Sequence, residues 1–476
     1  VAVLTVARTA QVPLSIVSVS AAPAVSAQRL QGWGRTSPSV AAVKELVPGS
    51  LPDALLQVGT RGALMRGLGR SYGDAAQNAG GTVLRLLGGT GDVHLDRRSA
   101  TVRVGAGVSI DDLLRVLVPE GFFVPVTPGT RFVTIGGAIA SDIHGKNHHA
   151  EGSFGDHLRS ITMVLADGST VVVGPDDDAE LFWATVGGMG LTGAIVEATI
   201  AVLPIETSRM RVDTSRLADL DDVFAQMATD DDYRYSVAWI DLLAKGRHMG
   251  RGVWTRGDHA TVQQLPVEQR AAPLAYGPRQ LISVPPLVPS IGLVHTPTAV
   301  AFNELWYRKA PKHREGQLQS IAAFFHPLDM AGAWNRVYGR PGMLQYQFVV
   351  PFGQEDAMRT VVEHLVDSGA PIVVTVLKRF GAANPGPLSF PCPGWTLAID
   401  VPAASRGLGD LLHSLDRIVL DAGGRHYFAK DATTSPATIR RGYPRLDEWK
   451  AVQRRVDPTG VWQSDLSRRL GLTGGS

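Results

Sequence analysis

The sequence predicts an α+β protein of two domains, on three observations. From about Gly32 to Ile205, short β-prone segments are punctuated by glycine, without the regular strand–helix alternation of a parallel sheet. Beyond Glu206 most of the aromatic residues gather in longer strand-like runs. The length of 476 residues, 44% of them hydrophobic, suffices for more than one core.

Taken in order, Val1–Ala27 is rich in Ala, Val and Ser, and Gln11 and Pro13 interrupt it. It lacks the basic start and unbroken apolar core of a signal peptide and is expected to be a disordered extension. Ala63–Arg66, Thr82–Leu86 and Ala100–Val104 are predicted strands followed by glycine-containing turns. Ser109 is placed to cap a short helix, with Asp111 and Asp112 in its first turn and Leu113, Leu114 and Leu117 inward. Ile161–Leu165 and Thr170–Val173 flank Asp167-Gly168, a hairpin signal. Asp178–Val186 is a predicted helix and Ala194–Leu203 a strand. In the second domain the predicted strands are Tyr235–Ile240, Leu344–Pro351 and Trp395–Val401. Alternation puts Gln345 and Gln347 on one face and Tyr346 and Phe348 on the other. Gln280–Asn303 carries no Asp, Glu, Lys or Arg, and Pro285, Pro286, Pro289 and Pro297 would break a spanning helix. It is too long for an ordinary connection. A strand at His426–Ala429 and terminal helices close the chain.

Composition excludes several classes of function. With 46 basic against 44 acidic side chains and no Lys/Arg block, the chain has no nucleic-acid footprint. Its one cysteine, Cys392, rules out an internal disulfide framework and a cysteine zinc site, and fits a reducing compartment. Without a signal or a span, the cytoplasm is the expected location.

Three short patterns invite misreading. Gly188-Met-Gly190-Leu-Thr-Gly193 matches the dinucleotide fingerprint GxGxxG, but a helix precedes it and a strand follows, the reverse of the Rossmann order. Gly69-Arg-Ser71-Tyr-Gly73 matches a hydrolase elbow, yet no helix follows to strain and expose the serine. His144 and His148 have helical metal-ligand spacing, but Gly145 lies between them and no carboxylate or cysteine helps, so no metal is expected. A fourth reading uses the pieces together. Arg66–Asp74 and Pro128–His149 are two glycine-rich segments whose turn N–H groups could form nests for a pyrophosphate. Tight turns in a β-rich domain are the competing reading.

With Glu180-Leu-Phe-Trp183 through Gly193, these loops resemble the FAD-binding domain of the vanillyl-alcohol-oxidase superfamily, which includes sugar-lactone and alditol oxidases. The nearer resemblance is to the flavin half of the actinobacterial 2′-epimerases of polyprenyl-phosphoryl ribose. It is carried by GWGRT (32–36), GLGRSYGD (67–74), GGAIASDIHGKNHH (136–149), FHPLDM (325–330), LQYQFVVP (344–351), PLSFPCPGW (387–395) and Lys430-Asp431.

The resemblance implies a two-subdomain PCMH-type FAD-binding domain at residues 28–206, completed by 424–476. A substrate domain built on an antiparallel sheet would occupy 207–423. FAD would be held by Gly67, Gly69, Arg70, Ser71, Tyr72, Gly73 and Asn78 of the first loop region. The second would contribute Pro128, Gly129, Thr130, Thr134, Gly136, Gly137, Ala140, Ser141, Ile143 and His144, with Gly190, Ile195 and Tyr427 added. Some members bind flavin covalently through a first-loop histidine; Arg70 stands there instead, so non-covalent FAD is expected.

The implied reaction oxidises the 2′-hydroxyl of a polyprenyl-phosphoryl ribose, hydride passing to the flavin. A partner reductase using NADH would complete epimerisation to the arabinose donor for cell-wall arabinan. Lys430 and Tyr72 are the expected catalytic residues, and Lys146, Trp239, Phe325, Gln345, Gln347, Lys378 and Phe380 the expected substrate contacts. For the loop 280–303 two readings stand: an apolar lid meeting the prenyl chain or a membrane surface, and a functionless insertion. A soluble alditol or sugar-lactone oxidase using O2 is the alternative activity.

Overall fold

The computed structural model describes residues 26–473. The predicted N-terminal extension therefore lies largely outside the described residues. Its last two residues correct its boundary, because Ser26 and Ala27 open the strand Ser26–Leu30, paired antiparallel with Ser39–Leu46.

The first domain holds two sheets. A four-stranded sheet runs in the order Ser26–Leu30, Ser39–Leu46, Thr82–Leu86, Ala63–Met65, the last three mutually parallel. A five-stranded antiparallel sheet runs Val93–Asp96, Thr101–Gly105, Ala194–Ala201, Leu158–Val164, Thr170–Val173. The helix Ile110–Leu117 starts where its cap dictates: Ser109 Oγ accepts from the Asp112 N–H at 3.1 Å, and Leu113, Leu114 and Leu117 are fully buried. Each buried leucine contributes roughly 1.5–3 kcal/mol.

The second domain is an eight-stranded antiparallel sheet. Its order is His313–Ser320, Arg209–Leu217, Gly252–His259, Tyr235–Ile240, Thr375–Phe380, Gly394–Pro402, Met343–Pro351, Arg425–His426. The helices Leu220–Ala228, Glu355–Ser368 and Leu408–Asp421 cover one face, packing Val223, Val362 and Leu415 onto Tyr346, Phe348 and Leu397. The opposite face meets the first domain, where Val349, Phe380 and Tyr235 share a core with Ile139 and Phe154. The predicted alternation is realised, since Tyr346 and Phe348 enter the helix-covered core while Gln345 and Gln347 turn to the other domain.

Two expected elements are corrected. The strand predicted over His426–Ala429 ends at His426; beyond it Tyr427 and Phe428 accept from the Lys430 and Asp431 N–H groups in a tight turn. Arg425–His426 also pairs with Phe348 and Val349, so the C-terminal segment begins in the second domain's sheet. Only afterwards do the terminal helices reach the first domain, where the Trp449 indole donates to the Ala184 carbonyl at 2.9 Å and Trp462 bridges to Ala63. The segment 280–303 is not structureless: Ile282–Ser283 pairs with Ala331–Gly332, and Thr296 opens a 14-residue helix to Lys309. Pro297 lies in that helix's first turn, where its missing N–H costs nothing.

Candidate functional site

The two glycine-rich segments meet. A Cβ on Gly67 would stand 2.2 Å from Thr134 Oγ1, so only glycine lets the loops pack this closely. Thr134 Oγ1 in turn caps the helix Ile135–Ala140 by accepting from the Gly137 N–H. Gly69 sits at φ +65°, and the N–H groups of Gly67, Gly69, Arg70 and Ser71 find no acceptor among the described residues. That succession of open amides is the donor set an anion nest requires. The rejected GxGxxG has a different role. The N–H groups of Gly187, just before it, and of Met189 within it bond the Ile139 and Ala140 carbonyls at 3.0 and 2.8 Å, bracing the second segment from behind.

The arrangement fits a flavin dinucleotide on one further count: Arg70 Nε and His144 Nδ1 are buried without a partner. Gln347 Nε2 donates to His144 Nε2 at 2.9 Å, which leaves the ring proton on that unpartnered Nδ1. Burial, with the positive charge of Lys378, keeps this imidazole neutral. The Arg70 guanidinium lies over the Trp33 ring at 4.0 Å.

Several expected cofactor residues serve the protein instead. The Asn78 amide is spent on the Arg61, Gly62 and Thr82 carbonyls and on Arg468, tying the first loop to the C-terminal helix. Thr130 Oγ1 donates to Asp329 at 2.7 Å and thereby docks the second loop on the other domain. The Tyr427 hydroxyl donates to the Ser141 carbonyl at 2.8 Å and holds the end of the helix below. Ile143 and Ile195 are core residues.

Facing these loops, the second domain's sheet presents Gln345, Gln347, Lys378 and Phe380. Phe380 packs edge-on against His144 with centroids 4.9 Å apart. Lys430 rides on the turn that approaches the first loop. A Cβ on Gly73 would lie 2.0 Å from the Asp431 carbonyl oxygen, so glycine again permits the contact. Lys430 Nζ stands over the Tyr72 ring at 4.1 Å. Asp431 pairs with Arg469, which leaves Lys430 free of it. Lys146 donates to the Phe324 carbonyl, and burial draws its ammonium down to about 7. Burial, then the charges of Lys430 and Lys146, draws Lys378 down to about 7 as well. Tyr72 is held protonated, well above 10, by burial and by a nearby carboxylate.

That carboxylate, Asp400, escaped the sequence reading. It is fully buried on the Gly394–Pro402 strand directly across from Gln345, whose Nε2 donates to Oδ1 at 2.5 Å; Oδ2 has no partner. Its signal was a lone acid in the apolar run Trp395–Val401. Two expected substrate contacts sit apart from this group. The Phe325 ring packs in the interdomain core, 4.8 Å from Tyr235 and 5.1 Å from Phe123. Trp239 is half-buried and donates its indole N–H to the Val373 carbonyl.

A family model described as "FAD binding domain" matches residues 61–174, and one described as "D-arabinono-1,4-lactone oxidase" matches residues 356–470. The chain is 44% identical to the decaprenylphosphoryl-β-D-ribose oxidase of Mycolicibacterium smegmatis, over 94% of this chain and 98% of that protein. It is 26% identical to the alditol oxidase of a Streptomyces species, over 86% of this chain and 90% of that one.

Proposed function

The chain belongs to the decaprenylphosphoryl-β-D-ribose oxidase family and is an FAD-dependent oxidoreductase; from that premise we propose how its own residues perform the oxidation. The substrate is a polyprenyl-phosphoryl-β-D-ribose, and the product is its 2′-keto sugar. The observation that carries this assignment is the meeting of Lys378 and Gln345 from the sheet and Lys430 from its turn with Tyr72 and Lys146 of the two glycine-rich segments. Three half-buried amines suit a phosphate-bearing sugar better than a neutral alditol.

Gly67–Gly73 and Gly129–Gly137 would hold FAD, which would supply the two-electron acceptor. It would be bound without a covalent link, since Arg70 cannot form one and Cys392 is buried beside Tyr443. His144 of the second segment and Gln347 of the sheet, bonded to each other, would support the ring system. Lys378 and Lys146 neutralise the substrate phosphate. Tyr72 remains protonated and orients the sugar by donating its hydroxyl hydrogen. Lys430 contacts the reacting hydroxyl. Phe380 excludes water beside His144. A partner reductase using NADH consumes the keto sugar.

Anaerobic mixing with polyprenyl-phosphoryl ribose should bleach the flavin absorbance; a flavin that stays oxidised removes this substrate. Lys430→Ala should retain the flavin spectrum yet lose reduction by about 10²-fold or more, and a variant within twofold of the wild type would take Lys430 out of the reaction. The likeness to an alditol oxidase favours a second reading, a soluble sugar oxidase using O2. Fast reduction by free alditols with stoichiometric peroxide would establish it instead.

A further inference from the structure

Among the charged groups around the reacting end of the pocket, Asp400 is a fully buried carboxylate whose charge is felt by Lys430 and Tyr72. Lys430 comes from the Tyr427–Asp431 turn and Lys378 from the Thr375–Phe380 strand, with Lys146 behind Lys378. Tyr72 faces the group from the first glycine loop, with Arg70 beside it; Tyr338 faces Asp400 from the Trp334–Tyr338 turn, and His144 closes the second-loop side. Asp431, next to Lys430 in sequence, is taken by Arg469. No direct ion pair joins Asp400 to Lys430 among the described residues, and Asp400 Oδ2 is buried with no hydrogen-bond partner. A carboxylate left half-satisfied in an apolar strand costs stability. Its position across from Gln345, which lines one cavity with Lys430, gives that cost a use.

We propose that Asp400 and Lys430 act as one proton-accepting unit, in which Lys430 Nζ receives the sugar hydroxyl proton and Asp400 supplies the negative charge that stabilises it there. The inference rests on the sugar oxidation proposed above. In that step the carbinol carbon loses its hydrogen with both electrons to the bound flavin, and the C–O bond becomes C=O. The O–H proton passes to neutral Lys430, so the pair changes from net −1 to neutral. Burial favours this direction of change, because the pocket holds a neutral pair more readily than an isolated charge. Burial draws the Lys430 ammonium down, making an uncharged amine accessible, while Asp400 pulls it partly back up. Burial also raises Asp400, and Gln345 and Lys430 oppose that rise. Asp400 is thus a positioning residue that acts through Lys430, and Gln345 adjusts it in turn.

The test follows anaerobic flavin bleaching by polyprenyl-phosphoryl ribose against pH. In parallel, the pH midpoint for acetylation of the Lys430 amine in the holoenzyme is read by peptide mass spectrometry. Asp400→Asn keeps the shape and the acceptor for Gln345, and should retain the flavin spectrum. Without its anion Lys430 loses its proton more easily, so the acidic limb and the acetylation midpoint should both fall by about one pH unit or more. The plateau rate should fall at least about tenfold, because the protonated amine has no counter-charge. Gln345→Leu removes the hydrogen bond that favours the anion, so the carboxyl competes for the shared proton: the acidic limb should move to higher pH, while the amine, facing less negative charge, should acetylate at lower pH. Opposite shifts are not what a purely structural defect produces. If Asp400→Asn fails to hold flavin, the Gln345→Leu shift decides alone. Limbs and midpoints unchanged in both variants would overturn the pair while leaving the oxidation intact. A wild-type flavin that the sugar never bleaches would instead sink the substrate reading, and the acetylation midpoints would still judge the pair.

Discussion

Lys146 and Lys378 show how a residue's cost becomes legible in pH. Burial draws both to about 7, so the folded chain releases protons that the unfolded chain holds up to about 10.5. The unfolded state therefore binds more protons between these limits. Stability should rise with pH across roughly 7 to 10 and be lost as pH falls toward 7. The thermal midpoint measured without phosphate should climb over that window. Lys378→Met should flatten the climb and raise the midpoint at pH 7, while weakening the prenyl-phosphoryl sugar by about tenfold. A midpoint independent of pH in both proteins would mean that the lysines are charged and paired in solution. At this scale much of the candidate site was legible in the sequence, since Lys430 and Tyr72 stood in recognisable strings and alternation put Gln345 and Gln347 on one face. Asp400 was hidden because its meaning lies in a cross-strand partner 55 residues away; along its own strand it reads as an isolated acid.

Among elements, glycine decides how closely the pieces approach. Gly73→Ala would place a Cβ on the Asp431 carbonyl and push the Lys430 turn away from Tyr72. The expected result is a yellow protein whose flavin is reduced about 10²-fold more slowly, since small displacements at a reacting group are costly. Gly67→Ala acts one step earlier by prising the first loop from Thr134, and should weaken FAD itself by about tenfold or more. Flavin retention and bleaching rates together separate the two variants, and equal loss of both in each would show that the loops act as one rigid unit. Local signals predicted the elements they control: the Ser109 cap, the Asp167-Gly168 hairpin and the helix predicted over Asp178–Val186, observed as Ala179–Thr185, appear where expected. The failures were non-local. Ile282–Ser283 becomes a strand only by pairing with Ala331–Gly332, and the turn after His426 is set by its approach to the first glycine loop.

For the molecule as a whole, the remaining question is how a chain in which no helix among the described residues is long and apolar enough to cross a membrane reaches a lipid-linked sugar. The segment expected as a lid offers a route. Val294 packs with Trp334 and Val337 against the cluster of Tyr72, Tyr338 and Met343, which ties the segment to the wall of the sugar pocket. Outward from there the apolar side chains are exposed: Leu287 at 92%, Leu305 at 67%, with Phe302 and Trp306 stacked 6.0 Å apart on the helix Thr296–Lys309. Lys309, Lys312 and Arg314 stand exposed at the end of that helix and just beyond it, while Glu304 is already paired to Arg251 and Arg308. Aromatic and aliphatic groups beside unpaired cations suit an anionic bilayer surface, where each cation contributes about 1 kcal/mol. The prenyl chain would then run from Tyr72 along this surface into the lipid. Substituting Leu305→Glu together with Trp306→Glu should lower cosedimentation with phosphatidylglycerol vesicles by about tenfold or more. The same variant should bleach as fast as the wild type with a short-chain, water-soluble prenyl-phosphoryl ribose and more slowly with a vesicle-borne long-chain one. Unchanged vesicle binding would refute the docking surface, and an equal loss on both substrates would assign the helix to the pocket.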